Sequence, residues 1–281
     1  MEGRPTATLV IQTGFLGDVV LTTPLLALLA ERHGPVDVVT TPAAAPLLEG
    51  HPAVRAVIRY DKRGGDRGWR GLWRLGTLLR EREYTRAYLP HRSWRTAMLA
   101  LLGGIRERTG FADSAAGFTY TRRVTRPPTG HEVDRLLALA AGPDTLPPAV
   151  RLGLAESDHR TADAWLSARG LEPGFIAIAP GSIWGTKRWP YYAELAAALD
   201  RPVVVIGGAE DASLAEAVIR AAPARVHSAA GALDLRASAA LIRRAALLVT
   251  NDSAPLHLAT AVGTSVIAIF GPTVPEQGFG P

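Results

Sequence analysis

The chain contains no cysteine, which removes disulfides, thiolate metal sites and cysteine nucleophiles at one stroke and fits a reducing compartment. Long apolar runs are missing too. No stretch approaches the roughly 20 residues that span a bilayer. The apolar N-terminal segment is broken by Asp18, and no small-residue cleavage site follows as it would in a secretory signal. A cytoplasmic protein is expected. Asp-x-Asp occurs nowhere, and no His/Asp/Glu group has metal-ligand spacing, so neither a cofactor nor a dedicated metal site is expected. The Gly-x-Gly-x-x-Gly dinucleotide fingerprint and the Walker P-loop spacing are also absent, which places a dehydrogenase last among the enzymes considered.

What remains is a globular composition of 281 residues, 47% hydrophobic and 20% charged, long enough for two domains of ordinary size. The formal charge is +5, and its excess is concentrated. Between Asp61 and Arg126 lie fifteen lysines and arginines against six acids. Such a run is either a solvated surface or an electropositive face for a phosphorylated or membrane-borne partner, with Trp69, Trp73 and Trp94 interleaved. Nucleic acid is not expected, because no recognition motif accompanies the charge.

Apolar strands alternate with helical patterns, which implies parallel sheets. In the first half, strands are predicted at 8–12, 36–40, 56–60 and 87–90, with helices at 19–33, 69–82 and 131–141. Pro24 falls inside the first helix, where it disfavours the helix by up to about 3 kcal/mol. The apolar face nevertheless continues through Leu25, Leu28 and Leu29. Proline- and glycine-rich stretches at 126–130 and 142–148 mark the approach to an interdomain linker. The second half predicts helices at 158–169, 191–199, 212–221, 237–244 and 254–262, with strands at 175–179, 203–206, 247–250 and 265–270. Two doubly wound domains are expected, 1–150 and 151–281, facing a central cleft. The chain ends in the turn residues Gly278-Phe279-Gly280-Pro281, so the second domain is expected to be truncated.

Two strand-to-helix junctions carry the chemistry. In α/β sheets this carboxyl edge is where ligands bind, and helix starts favour anions. At the first, Asp18 follows Gly14 and Gly17. It serves either as a helix N-terminal carboxylate or as a general base for an acceptor hydroxyl. At the second, Asn251-Asp252-Ser253-Ala254-Pro255 opens a helix suited to a diphosphate, with Asp252 or Ser253 as N-cap. His257, one turn on, faces either the cleft or the core. Between them, Gly181-Ser182 and Gly185-Thr186-Lys187-Arg188 form a loop whose glycines allow close approach of an anion to a basic pair. Gly207-Gly208-Ala209-Glu210-Asp211 is a third strand-end loop, where an acid could meet ribose hydroxyls.

Taken in order, Gly17-Asp18 with Thr22-Thr23-Pro24, His131-x-Val133-Asp134-Arg135, Pro180-Gly181-Ser182 with Lys187-Arg188-Trp189-Pro190, Gly207-Gly208, Asn251-Asp252-Ser253 with His257, and Phe270-Gly271-Pro272-Thr273 resemble the heptosyltransferase family, glycosyltransferase family 9. The likeness covers nearly the whole chain and is strongest to the lipopolysaccharide heptosyltransferase II type. It implies a GT-B fold of two Rossmann-like domains and inverting transfer of a heptose or related sugar. The donor would be an ADP-sugar and the acceptor an anionic, lipid-linked lipopolysaccharide core or other cell-envelope glycan. The resemblance makes Asp18 the catalytic base and Lys187 the neutraliser of the donor diphosphate. Gly17, Gly181, Ser182, Thr186, Arg188 and Glu210 would bind substrate, as would Asp252, Ser253, Ala254, Pro255 and His257. Ala254 stands where the family commonly has glycine. Members normally continue past the Phe-Gly-Pro-Thr segment into further helices. A peripheral location on the inner face of the cytoplasmic membrane follows from such an acceptor. The alternatives are a sugar-nucleotide epimerase on the same architecture and a catalytically silent nucleotide-sugar-binding protein.

Overall fold

A computed structural model describes residues 7–140 and 147–281. The chain divides into two compact units, one ending at Gly153 and the other beginning at Leu154, three residues later than the expected boundary. Most of the expected 142–148 linker, and the last residue of the expected 131–141 helix, lie outside the described residues.

The first unit runs β1 (Thr8–Ile11), α1 (Leu16–His33), β2 (Val36–Thr40), α2 (Ala45–Leu48), β3 (Val54–Arg59), α3 (Gly68–Glu81), β4 (Arg86–Leu89), α4 (Trp94–Leu102), β5 (Glu107–Phe111), β6 (Arg122–Val124) and α5 (Glu132–Leu137). Its six strands are all parallel, in the order β3-β2-β1-β4-β5-β6. The order reverses between β1 and β4, the switch point at which such sheets open a crevice for ligands. Strands β1 and β2 are buried along their whole length, because helices cover both faces of a parallel sheet. Leu72, Leu75 and Leu79 recur at helical spacing on α3 and join Leu9, Ile11, Ile58 and Leu99 in the core. Each such leucine contributes roughly 1.5–3 kcal/mol of transfer free energy.

Helix α1 begins three residues earlier than its apolar pattern predicts, so Asp18 lies inside its first turn. Pro24 is accommodated by its neighbour. Lacking an N–H, it leaves the Val20 carbonyl without its usual i+4 donor. The Thr23 hydroxyl donates to that oxygen at 2.8 Å instead.

The second unit runs α6 (Glu156–Ser167), β7 (Ile176–Ala179), α7 (Tyr192–Ala198), β8 (Val203–Val205), α8 (Ala212–Ala221), β9 (Val226–Ser228), α9 (Leu235–Arg244), β10 (Leu247–Asn251), α10 (Ala254–Val262) and β11 (Val266–Ile269). Its five parallel strands are ordered β11-β10-β7-β8-β9, with the switch point between β7 and β10. Ile178, Val203, Val205, Val218 and Val249 centre its core. Among the described residues, no helix is long and apolar enough to cross a membrane.

Candidate active site

At the first switch point, four residues carry the chain from β1 into α1. Gln12 locks this turn: its side-chain amide donates to the Thr22 hydroxyl at 2.9 Å and its side-chain carbonyl accepts the Gly14 N–H at 3.1 Å. Gly14 is a steric requirement, since a Cβ there would lie 2.4 Å from Oδ2 of Asp18. With that space open, Oδ2 folds back to accept the Phe15 N–H at 2.8 Å. Oδ1 makes no hydrogen bond among the described residues. Gly17 sits beside the carboxylate in the first helical turn. Burial is the main influence on Asp18 and raises its pKa above 3.8; the Phe15 N–H opposes it, Glu132 adds to it and Lys62 opposes it.

Two residues from other strand ends complete this edge. Lys62, three residues past β3, donates from Nζ to the Thr13 carbonyl at 2.6 Å. His91, two residues past β4, places Nδ1 3.0 Å from the Thr13 hydroxyl and 3.3 Å from that of Thr96. Burial, reinforced by Lys62 and Arg92, pushes the His91 pKa down to about 4, so the ring is neutral at ordinary pH. Burial lowers the pKa of Lys62, with Arg63 and Arg95 acting in the same direction and Asp18 against it. The result is a proton-accepting carboxylate beside an ammonium, held by three different strand ends.

At the second switch point, Asn251 is the fastener. Fully buried at the end of β10, it accepts the Trp189 N–H at 2.9 Å and the Tyr192 hydroxyl at 3.1 Å. Its amide donates to the Pro180 carbonyl at 2.9 Å. The loop after β7 is thereby tied to β10, and two expected site residues meet: Nζ of Lys187 lies 2.5 Å from Oδ2 of Asp252. The Thr273 hydroxyl donates to the same oxygen at 2.8 Å. An ammonium, a carboxylate and a hydroxyl thus converge at the carboxyl edge, a set that can bind phosphate and sugar hydroxyls together.

The other expected residues lie in the strand-end loops and in the opening turns of α10. At Gly181 the Asp211 carboxylate fills the space a side chain would take; a Cβ there would meet Asp211 Oδ1 at 2.3 Å. Asp211 is buried and its pKa is raised, mainly by burial. The exposed Arg188 turns its guanidinium onto the Ser182 carbonyl at 2.8 and 3.0 Å, closing its own loop. Ser253 occupies the N-cap position of α10 without a side-chain capping bond. Its hydroxyl lies 3.4 Å from that of Thr250. Ala254 and Pro255 form the first turn of α10. His257 is 5% exposed and faces the interior. Ser182 is half-buried, while Thr186 and Glu210 are exposed; the hydroxyls of Ser182 and Thr186 make no hydrogen bond among the described residues. Among those residues, no group of three or more His, Asp or Glu side chains could hold a metal ion.

The family model of glycosyltransferase family 9 (heptosyltransferase) matches residues 72–280. The chain belongs to this family. As a family 9 chain it is a glycosyltransferase, 30% identical over 293 aligned positions to lipopolysaccharide heptosyltransferase 2 of Salmonella typhimurium, covering 95% of this chain and 83% of that relative. The solved family 9 glycosyl transferase of Veillonella parvula matches with a TM-score of 0.88 at 26% identity, covering 100% of this chain and 86% of that one. The ADP-heptose lipopolysaccharide heptosyltransferase II of E. coli matches with a TM-score of 0.79 at 28% identity, covering 96% and 86%. The fold of this family 9 member is accordingly GT-B, with a Rossmann-like sheet in each unit.

The sequence does not single out Lys62, His91 or Thr273 as site residues, and it marks Asp211 only as one of two acids in the loop after β8. Thr273 lies in the Phe270-Gly271-Pro272-Thr273 segment, which by itself suggests no role for the hydroxyl. The only signal for Lys62 and His91 was their position just past predicted strands.

Proposed function

We propose that this glycosyltransferase moves a heptose or closely related sugar from an ADP-sugar to an anionic, lipid-linked glycan of the cell envelope, such as the lipopolysaccharide core, with inversion at the anomeric carbon. The observation that carries this reading is Asp18, a partly buried carboxylate at a sheet switch point with one oxygen bound and the other making no hydrogen bond among the described residues. The acceptor hydroxyl oxygen bonds to the anomeric carbon as the bond from that carbon to the diphosphate breaks. The electron pair leaves with ADP, and the proton passes to Oδ1 of Asp18. Lys187 takes the charge developing on the leaving diphosphate. Ser182, Thr186 and the first-turn amides of α10 bind phosphate oxygens, Asp252 and Thr273 bind the donor sugar, and Glu210 lies where ribose hydroxyls would reach. Similarity to the lipopolysaccharide heptosyltransferase 2 of Salmonella typhimurium and to the ADP-heptose lipopolysaccharide heptosyltransferase II of E. coli supports this donor and acceptor class. The reaction would take place at the cytoplasmic face of the inner membrane.

The test is calorimetric titration with ADP, UDP, GDP and NADH, followed by transfer from ADP-heptose to a core acceptor. Selective ADP binding, weakened about tenfold or more in Lys187→Ala, supports the donor site. A preference for UDP or GDP would replace the donor class, and unchanged affinity in Lys187→Ala would remove that residue from the phosphate site. Turnover of the donor with no acceptor present would indicate an epimerase instead.

A further inference from the structure

Helix α3 presents two opposite faces. Leu72, Leu75 and Leu79 face the core, and Gly76 lets α4 approach so closely that a Cβ there would lie 2.6 Å from Cβ of Leu102. The outer face carries Trp69 and Trp73, one helical turn apart and 67% and 66% exposed. Trp69 packs against Trp94 at the start of α4, with ring centroids 5.5 Å apart, and Arg95 lies 5.1 Å over the Trp94 ring. Phe118, in the turn after β5 that packs on α4, is 81% exposed. Large aromatic rings in water are costly on a monomer surface unless something covers them.

Positive charge predominates around these rings. Arg63, Arg67 and Arg70 are exposed, and none has a carboxylate partner among the described residues. The two nearby acids are already committed. Asp61 accepts the N–H groups of Gly64 and Gly65 at 2.9 Å, while Asp66 pairs with Arg74 and accepts the Asp61 N–H. Exposed tryptophans beside unpaired arginines on an amphipathic helix match the interface of an anionic bilayer, where indoles sit at headgroup depth and guanidinium groups meet lipid phosphates.

We infer that the outer face of α3, with the start of α4, docks this protein onto the anionic phospholipid surface of a membrane. The surface is placed for the chemistry: α3 and α4 begin where β3 and β4 end, so Trp69 and Trp94 lie at the same sheet edge as Asp18, Lys62 and His91. A lipid-linked acceptor would reach that edge without leaving the bilayer. This inference deepens the acceptor class proposed above and rests on it only for that last step.

The experiment is co-sedimentation with vesicles that contain no glycan, either equimolar phosphatidylglycerol and phosphatidylcholine or phosphatidylcholine alone. The native chain is expected to bind the anionic vesicles and to be released at about 1 M salt, where the screening length falls to about 3 Å. Replacing Arg63, Arg67 and Arg70 with glutamine should weaken binding about fivefold per arginine. Trp69→Ser with Trp73→Ser should weaken it about tenfold or more. ADP affinity and the far-ultraviolet spectrum should stay unchanged in both variants. Equal binding to both vesicle types, no binding, or binding that neither variant changes would overturn the inference. So would a dimer that the tryptophan variant dissociates in the absence of vesicle binding. A native chain that binds ADP selectively but does not bind the anionic vesicles would sink the docking surface alone. Vesicle binding retained without ADP selectivity would sink the donor assignment alone.

Discussion

Replacing Asp18 with asparagine and with alanine separates what this residue does for catalysis from what it does for the fold. As general base it is expected to supply about 10²–10⁴-fold in rate, or about 3–5 kcal/mol of barrier, so both variants should lose that much turnover while keeping ADP affinity. Their stabilities should diverge. Asparagine keeps an oxygen for the Phe15 N–H, whereas alanine removes it, a loss of about 1 kcal/mol typical of helix-start caps. Burial raises the Asp18 pKa in the folded chain. The folded state therefore favours the protonated acid, and this contribution is full below the unfolded value near 3.8 and lost as pH rises through the folded value. At neutral pH the native chain carries a penalty that asparagine lacks. Asp18→Asn should melt no lower than the native chain at pH 7, with the gap closing in acid. Asp18→Ala should melt a few degrees lower than Asp18→Asn, at about 2–4 °C per kcal/mol for a chain of this size. The rate profile follows the same sign: kcat/KM should rise with pH until Asp18 is ionised and then level off. Lys62→Met should move that limb to higher pH, because the ammonium holds the carboxylate down. Circular dichroism melts and a coupled ADP-release assay read all of these. Near-native turnover in Asp18→Asn, or a melt as low as that of Asp18→Ala, would refute the reasoning.

Three further outcomes follow from the same geometry. Asn251→Leu should reduce the stability of the second unit by about 3 kcal/mol or more in urea, because it strands the Trp189 N–H and the Pro180 carbonyl; a loss below about 1 kcal/mol would show that the loop holds itself. The His91 ring should stay neutral in an NMR titration down to about pH 4. Since its folded pKa is depressed, its contribution is present above the unfolded value near 6.5 and lost as pH falls towards 4, and protonation near pH 6.5 would contradict the burial described. Gly14→Ala should displace the Asp18 carboxylate and cut turnover about 100-fold with ADP affinity intact; an active variant would mean that Asp18 does not need this position.

Much of the fold is legible in the residues because burial on both faces writes uninterrupted apolar strands. The residues of β2, α8 and α10 read directly, and most other elements fall within one to three residues. What stays hidden has a physical cause. Strands β5 and β6 lie towards the sheet's edge and carry Glu107, Arg108, Arg122 and Arg123, so their composition resembles surface loop, and β9 is a three-residue edge strand. Helix α4 is masked by the arginines that precede it. The sites divide in the same way. Asp18 and Asp252 stand in local strand-turn-helix grammar and are readable. Lys62 and His91 reach Thr13 only because β3, β1 and β4 end along one edge, a juxtaposition set by strand order rather than by sequence spacing. Asp211 filling the space beside Gly181 depends on two loops meeting and leaves no mark in either.

The contact between Lys187 and Asp252 has a consequence for discrimination. Each group satisfies the other's charge in a largely buried position. A molecule offering only phosphates would draw the ammonium away and strand a carboxylate held by one threonine hydroxyl, while one offering only sugar hydroxyls would strand the ammonium. Only a ligand bearing both chemistries at the right separation replaces both halves of the contact at once. On the proposed donor reading, the pair would favour an intact nucleotide sugar over either of its fragments and would ease the departure of the spent nucleotide once the sugar is gone.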